Sequence, residues 1–210
     1  MDNFTKIKQT NIIQRKYNLV DNSENNNASM ANYNLALQAM DNAFRQKKID
    51  YKLQGSMAQA MHGSIVSQLP EDFDILVTSP KNSHDELVNS GEFSSILKGI
   101  VVAKVEHKET KVLIDLQQIE DFGMQGAKNE LINGISVLNL YEVLKSLLLR
   151  PSKRPKDEIA FNSLTVQREN DLTTEEKEDL AKTAQAPNWE QFKIFLDEQY
   201  LIKKLKTYLK

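Results

Sequence analysis

Two aspartates stand at alternate positions inside an otherwise apolar strand pattern, in the segment DFDILV (residues 72–77). An ionised carboxylate is costly to remove from water, and two neighbouring carboxylates repel each other. Residues two apart in a strand face the same side of a sheet, so we expect Asp72 and Asp74 to project together while Phe73 points to the opposite layer. This strand therefore requires a partner of opposite charge, and a metal ion is the obvious candidate.

A third carboxylate lies in a later strand pattern, KVLIDLQQI (residues 111–119). Alternation sends Asp115 to the side opposite Ile114, and we expect its strand to lie near the first acidic pair. Three carboxylates on adjacent strands are oxygen ligands of the kind that magnesium uses together with substrate phosphates. Two such ions that bridge an attacking and a leaving oxygen are a general solution for phosphoryl and nucleotidyl transfer. The simpler alternative is acids on strand edges that only face water.

A Gly-Ser pair, Gly55 and Ser56, ends the short strand pattern DYKLQG (residues 50–55) that precedes the first acidic strand. A glycine that closes a strand, followed by a small hydroxyl residue at a helix start, presents backbone N–H groups to an anion. This arrangement suits a nucleoside triphosphate that lies beside the metal ions.

The composition narrows the function classes. With 40% hydrophobic and 27% charged residues, the 210-residue chain has the balance of an ordinary globular protein of one or two domains. The formal net charge of -2 gives no global positive field, so a nucleic-acid site must be a local patch such as the basic run at residues 150–156. The absence of cysteine excludes disulfides, thiolate zinc sites and a cysteine nucleophile. No signal peptide or membrane segment is recognised, so we expect a cytoplasmic protein without a membrane partner.

The order of patterns predicts an α+β fold, a small mixed β-sheet with helices on one side, followed by a C-terminal helical region. Residues 1–28 are interpreted as an N-terminal extension with an Asn-rich flexible linker, and Ser29 as the cap of the first helix. Residues 29–138 form the predicted α/β core. Residues 139–210 have helical periodicity and include a long amphipathic helix at 188–209.

The Gly-Ser pair, the Asp-x-Asp strand and the later strand aspartate together resemble the polymerase-beta-type nucleotidyltransferase superfamily. The resemblance implies a small mixed sheet that transfers a nucleoside monophosphate from a nucleoside triphosphate. By position, Gly55 and Ser56 would hold the triphosphate. Asp72, Asp74 and Asp115 would be catalytic residues that bind Mg²⁺ or Mn²⁺. Asp115 would also activate the acceptor hydroxyl.

The segment LYEVLKSLLLRPSKRPKDEIAFNSL (residues 140–164) is similar to the helical region of the abortive-infection toxin branch of that superfamily. The resemblance implies that Lys145 reaches the triphosphate, with Arg150, Lys156 and Asp157 around the nucleotide pocket. The simpler alternatives are a solvated helix lysine and a basic loop between helices.

Several functions stay open at this point. The resemblance implies a nucleotidyltransferase whose acceptor is tRNA or a protein, as in a toxin with a cognate antitoxin. An antibiotic-modifying nucleotidyltransferase would instead modify a small hydroxylated molecule. Two alternatives outside catalysis are a nucleotide- or RNA-binding module with the same fold and an interaction protein that assembles through its C-terminal helix.

Overall fold

The computed structural model describes residues 24–64, 70, 72–121, 124, 126–150 and 154–184. The helices in these ranges are α1 (Glu24–Lys47), α2 (Gly55–Met61), α3 (Pro80–Asn89), α4 (Leu140–Leu149), α5 (Pro155–Arg168) and α6 (Thr174–Ala184). The strands are β1 (Tyr51–Gln54), β2 (Asp72–Val77), β3 (Phe93–Leu97), β4 (Val102–His107), β5 (Leu113–Gln118), β6 (Asn129–Ile132) and β7 (Ile135–Leu138). None of the helices in the described ranges is long and apolar enough to cross a membrane.

The strands form one seven-stranded mixed sheet in the order β3-β4-β5-β2-β1-β7-β6. The pairs β2–β5 and β1–β7 are parallel, and the other neighbours are antiparallel. The predicted α+β fold with a mixed sheet is confirmed.

One face of the sheet is apolar and covered by helices. Phe73 is fully buried on this face, and its ring centroid lies 5.5 Å from that of Tyr33 on α1. Helix α3 packs on the same layer against β3, β4 and β5 through the buried Leu87. Burial of this layer fixes the orientation of β2, so Asp72 and Asp74 face the other side of the sheet.

The C-terminal helices form a second packed layer. Helix α4 contacts α2, α5 and α6, and its buried side chains include Leu144, Leu147 and Leu148. The contact with α2 joins this layer to the segment that begins at Gly55.

The prediction of a flexible linker up to a helix cap at Ser29 is wrong for residues 24–29, because α1 begins at Glu24. A helix that has nucleated gains one hydrogen bond for each residue added, so it extends into residues of weak helical propensity. Residues 1–23 and the predicted C-terminal helix at 188–209 lie outside the described residues. The division into regions 1–28, 29–138 and 139–210 stays a prediction.

The structure contains a hairpin that the sequence analysis missed, formed by β6 and β7. Asn133 and Gly134 make its two-residue turn, with φ values of 54° and 86°. Two successive positive φ angles match the hairpin turn for which Asn-Gly is the preferred sequence, so the dipeptide itself was the signal.

Candidate active site

Four polar side chains form a row across neighbouring strands on the face opposite Phe73. Gln54 of β1 pairs in register with Asp74 of β2, Asp74 with Asp115 of β5, and Asp115 with Lys104 of β4. We call these four residues the carboxylate row. Asp72 precedes Asp74 by two positions and therefore lies on the same face. The sheet thus brings together the three aspartates that the sequence singled out.

The electrostatics of Asp74 show how crowded these carboxylates are. The pKa of Asp74 is raised to about 6, mainly by burial and further by the negative charges of Asp72 and Asp115. A hydrogen bond from Gln117 and the positive charge of Arg154 lower the pKa of Asp74 but do not cancel the other effects. A site with this excess of negative charge favours a cation.

Two glutamine side chains orient the Asp74 carboxylate. Gln54 Nε2 donates to Gln117 Oε1 at 2.6 Å, and Gln117 Nε2 donates to Asp74 Oδ1 at 2.9 Å. Because Gln117 lies two positions after Asp115 in β5, strand alternation places it on the site face. Gln117 binds only the Oδ1 atom of Asp74, and the Oδ2 atom lies next to Gly55 at the start of α2.

Gly55 packs directly against Asp74. A Cβ atom built on Gly55 would lie 2.1 Å from Asp74 Oδ2, far inside van der Waals contact, and the φ of Gly55 is +68°. The lack of space for a Cβ atom and the positive φ angle together select glycine at position 55. The half-buried Ser56 follows as the second residue of α2. The backbone of the Gly-Ser pair therefore lies beside the carboxylates.

Asp115 is paired with a cation from the chain itself. Lys104 Nζ lies 2.9 Å from Asp115 Oδ1, and the two side chains are 28% and 17% exposed. The Asp115 interaction raises the pKa of Lys104, and the charges of Asp72 and Asp74 raise it as well.

The fit of a metal ion differs among the three aspartates. Asp72 and Asp74 offer hard carboxylate oxygens, the ligands that Mg²⁺ and Mn²⁺ prefer, where negative charge is in excess. Within the described part of the chain, however, no three acidic or imidazole side chains are spaced to hold a metal ion. The expected three-carboxylate centre is therefore not assembled among the described residues, where Asp115 is instead paired with Lys104.

The predicted nucleotide-binding cations of the helical layer are either paired within that layer or exposed. Lys145 Nζ lies 2.8 Å from Asp179 Oδ2 and donates to Tyr141 Oη at 2.8 Å, so it ties α4 to α6. Arg150 Nη1 lies 3.3 Å from Asp157 Oδ1, and Lys156 is exposed. Among the described residues, none of these three cations makes a polar contact with the row.

Arg154 belongs to the basic run at residues 150–156, but the sequence analysis did not single it out. Its Nε and Nη2 donate to the two carboxylate oxygens of Asp157, at 2.8 and 2.9 Å. Asp157 is only 2% exposed, so this bidentate ion pair anchors the Arg154 guanidinium at the start of α5. From there the charge of Arg154 lowers the pKa of Asp74. The i,i+3 spacing of Arg154 and Asp157 was the available signal.

No family model matches the chain, and no curated protein matches its sequence. Solved structures do match. An antigenic nucleotidyltransferase-like protein from Paracoccidioides brasiliensis is 16% identical, with a TM-score of 0.51 over 77% of this chain and 90% of its own. JHP933 from Helicobacter pylori is 12% identical, with a TM-score of 0.53 over 89% and 95%. ANT(2")-Ia, solved in complex with adenylyl-2"-tobramycin, is 13% identical, with a TM-score of 0.50 over 71% and 95%. The chain therefore shares the fold of nucleotidyltransferase-like proteins.

Proposed function

We propose that this protein is a metal-dependent nucleotidyltransferase that moves a nucleoside monophosphate from a nucleoside triphosphate to an acceptor hydroxyl. The observation that carries the proposal is the contact of Gly55 with Asp74, which leaves no room for a Cβ atom. A backbone able to donate to phosphate and a carboxylate able to hold a divalent ion are thereby kept side by side. The fold shared with the nucleotidyltransferase-like protein from Paracoccidioides brasiliensis supports this proposal.

The residues divide the chemistry among them. Asp72 and Asp74 would hold Mg²⁺ or Mn²⁺, which supplies positive charge for the phosphates when it is bound. Gly55 and Ser56 would hold the triphosphate through backbone N–H groups and the Ser56 hydroxyl. Gln117 keeps the Asp74 carboxylate in one orientation.

The transfer itself is a displacement at the α-phosphorus. The acceptor oxygen forms a bond to this phosphorus, the bond to the oxygen that bridges the α- and β-phosphates breaks, and pyrophosphate leaves. The proton of the acceptor hydroxyl goes to a carboxylate, for which Asp115 is the proposed base.

Positive side chains of the helical layer would complete the nucleotide site. Arg154 is anchored by Asp157, and its charge already reaches Asp74. Lys145, Arg150 and Lys156 remain proposed triphosphate contacts. Lys145 would have to exchange its ion pair with Asp179 for the phosphates.

The finer proposal is a toxin of the abortive-infection type, with tRNA or a protein as acceptor and a cognate antitoxin as partner. It is supported by the resemblance of residues 140–164 to the toxin branch. A second candidate is an antibiotic-modifying enzyme, which the fold shared with ANT(2")-Ia favours, since that protein was solved with an adenylylated tobramycin.

The test is transfer of radiolabel from each nucleoside triphosphate, labelled at the α-phosphate, with Mg²⁺ or Mn²⁺. Total tRNA, cell extract and an aminoglycoside serve as separate acceptors for the full-length chain. Asp74→Asn should abolish transfer, whereas Asp50→Asn, the same change at an exposed position outside the row, should preserve it. Transfer that survives Asp74→Asn, or no transfer from any nucleotide to any acceptor, would refute the proposed function and favour a non-catalytic binding module.

A further inference from the structure

We propose that Lys104 is a built-in cation of the carboxylate row, which holds Asp115 in an ion pair and keeps it from a divalent ion in the free protein. This inference rests on the proposed function for the identity of the site. It adds a positioning residue that acts through Asp115. It also implies that the free protein binds a divalent ion through Asp72 and Asp74 alone.

The position of Lys104 follows from the sheet. Its neighbours in β4, Ala103 and Val105, are fully buried in the apolar layer. Alternation therefore sends the Lys104 side chain to the opposite face, and antiparallel register sets it across from Asp115. With 28% of its side chain exposed, Lys104 is held more firmly than a solvated surface lysine.

The Asp115 carboxylate depends on Lys104 for a positive charge close to its buried oxygen. Its Oδ1 atom is buried and accepts no aligned hydrogen bond from the described residues, although Lys104 Nζ lies only 2.9 Å away. A buried carboxylate oxygen that loses its counter-charge is strongly unfavourable. In the free protein, Lys104 therefore supplies charge that a metal ion would otherwise have to supply.

A divalent ion and Lys104 compete for the same carboxylate. Three aspartates share one face of the sheet, but Asp115 can act as a third ligand only after its pair with Lys104 opens. Arg154 donates from Nε and Nη2 to Asp157, so its guanidinium is held at the start of α5 rather than by Asp115. Removal of the Lys104 charge should therefore increase the affinity of the site for a hard cation.

The experiment is a titration of the full-length, nucleotide-free protein with Mn²⁺, in which free Mn²⁺ is measured by electron paramagnetic resonance. Lys104→Met should bind Mn²⁺ about tenfold more tightly than wild type, the scale on which groups that contact metal ligands act. Lys104→Arg restores the charge and should return the affinity close to the wild-type value. Lys47→Met is the matched control, because Lys47 forms a 2.9 Å ion pair with Glu86 away from the row.

A second substitution identifies the ligand. Addition of Asp115→Asn to Lys104→Met should remove the gain in affinity, because the gain depends on the released carboxylate. The melting temperature gives an independent readout, since a ligand that binds only the folded state raises it by mass action. Mn²⁺ should raise the melting temperature of Lys104→Met more than that of wild type.

Equal or weaker Mn²⁺ binding by folded Lys104→Met, or a gain that survives Asp115→Asn, would overturn the inference. Absence of Mn²⁺ binding by Lys104→Met would overturn it as well. Failure of the proposed function gives a different result, in which the Mn²⁺ affinities change as expected but no nucleotide label is transferred.

Discussion

Replacement of Asp74 by asparagine should stabilise the metal-free protein at neutral pH. Asparagine keeps the shape of the side chain, and its amide oxygen can still accept the 2.9 Å hydrogen bond from Gln117. What it removes is a charge that stands beside the charges of Asp72 and Asp115. The repulsion among these carboxylates would thus lower the stability of the fold at the site that the proposed function requires.

The magnitude follows from the raised pKa of Asp74. Its folded-state pKa of about 6 lies above the ordinary value of 3.8, so the folded protein holds this proton more tightly than the unfolded chain does. The free energy of unfolding therefore falls as pH rises between these values and stays reduced above them. A gap of about two pH units corresponds to roughly 3 kcal/mol, which screening at this partly exposed site reduces to about 1–2 kcal/mol.

The assay is urea unfolding of the full-length chain, followed by circular dichroism in the presence of a chelator. At about pH 7.5, Asp74→Asn should exceed wild type by about 1–2 kcal/mol, and at about pH 4 the difference should be nearly gone. The exposed Asp50→Asn serves as control and should show neither effect. An Asp74→Asn protein that is less stable than wild type at neutral pH, or equally stabilised at both pH values, would refute the reasoning.

Three further predictions concern the groups around Asp74. Gly55→Ala should lower the free energy of unfolding, measured with urea, by about 2 kcal/mol or more, because the new Cβ atom meets Asp74 Oδ2 and the φ angle is positive. An unchanged free energy of unfolding would contradict this contact. Gln117→Leu should weaken Mn²⁺ binding about tenfold in a titration, because the hydrogen bond that orients the Asp74 carboxylate is lost. An unchanged affinity would argue against an orienting role for Gln117. Asp157→Ala should cost about 1.5–3 kcal/mol of stability in urea unfolding, because it removes charge-assisted hydrogen bonds to Arg154, and a loss below about 1 kcal/mol would contradict the anchoring role.

The period-two pattern of the acidic strands was readable from the sequence because burial of one face leaves a strand only one orientation. Phe73 enters the core, and Asp72 and Asp74 consequently share the other face. The pairing of β2 with β5, which sets Asp74 beside Asp115, depends on tertiary contacts between segments about 40 residues apart. From the sequence alone, the proximity of Asp115 to the first two aspartates was therefore only an expectation.

The partners of these carboxylates were not readable. Lys104 acquires its place from the register between β4 and β5, which the short turn between these two strands sets. The phosphate contact of Lys145 stays a prediction from a motif resemblance, and the motif did not indicate the Asp179 carboxylate that lies 2.8 Å from this lysine. The start of α1 at Glu24 was missed because intrinsic propensity is a weak guide to where a helix ends.

The central claim is attack at the α-phosphorus of a nucleoside triphosphate, directed by Asp72 and Asp74. The most direct measurement is the fate of label in the γ-phosphate during incubation with Mg²⁺ or Mn²⁺ and the acceptors described above. Nucleotidyl transfer releases this label as pyrophosphate, and Asp72→Asn/Asp74→Asn should abolish the release. Label released only as inorganic phosphate, or pyrophosphate released equally by the double variant, would contradict the claim.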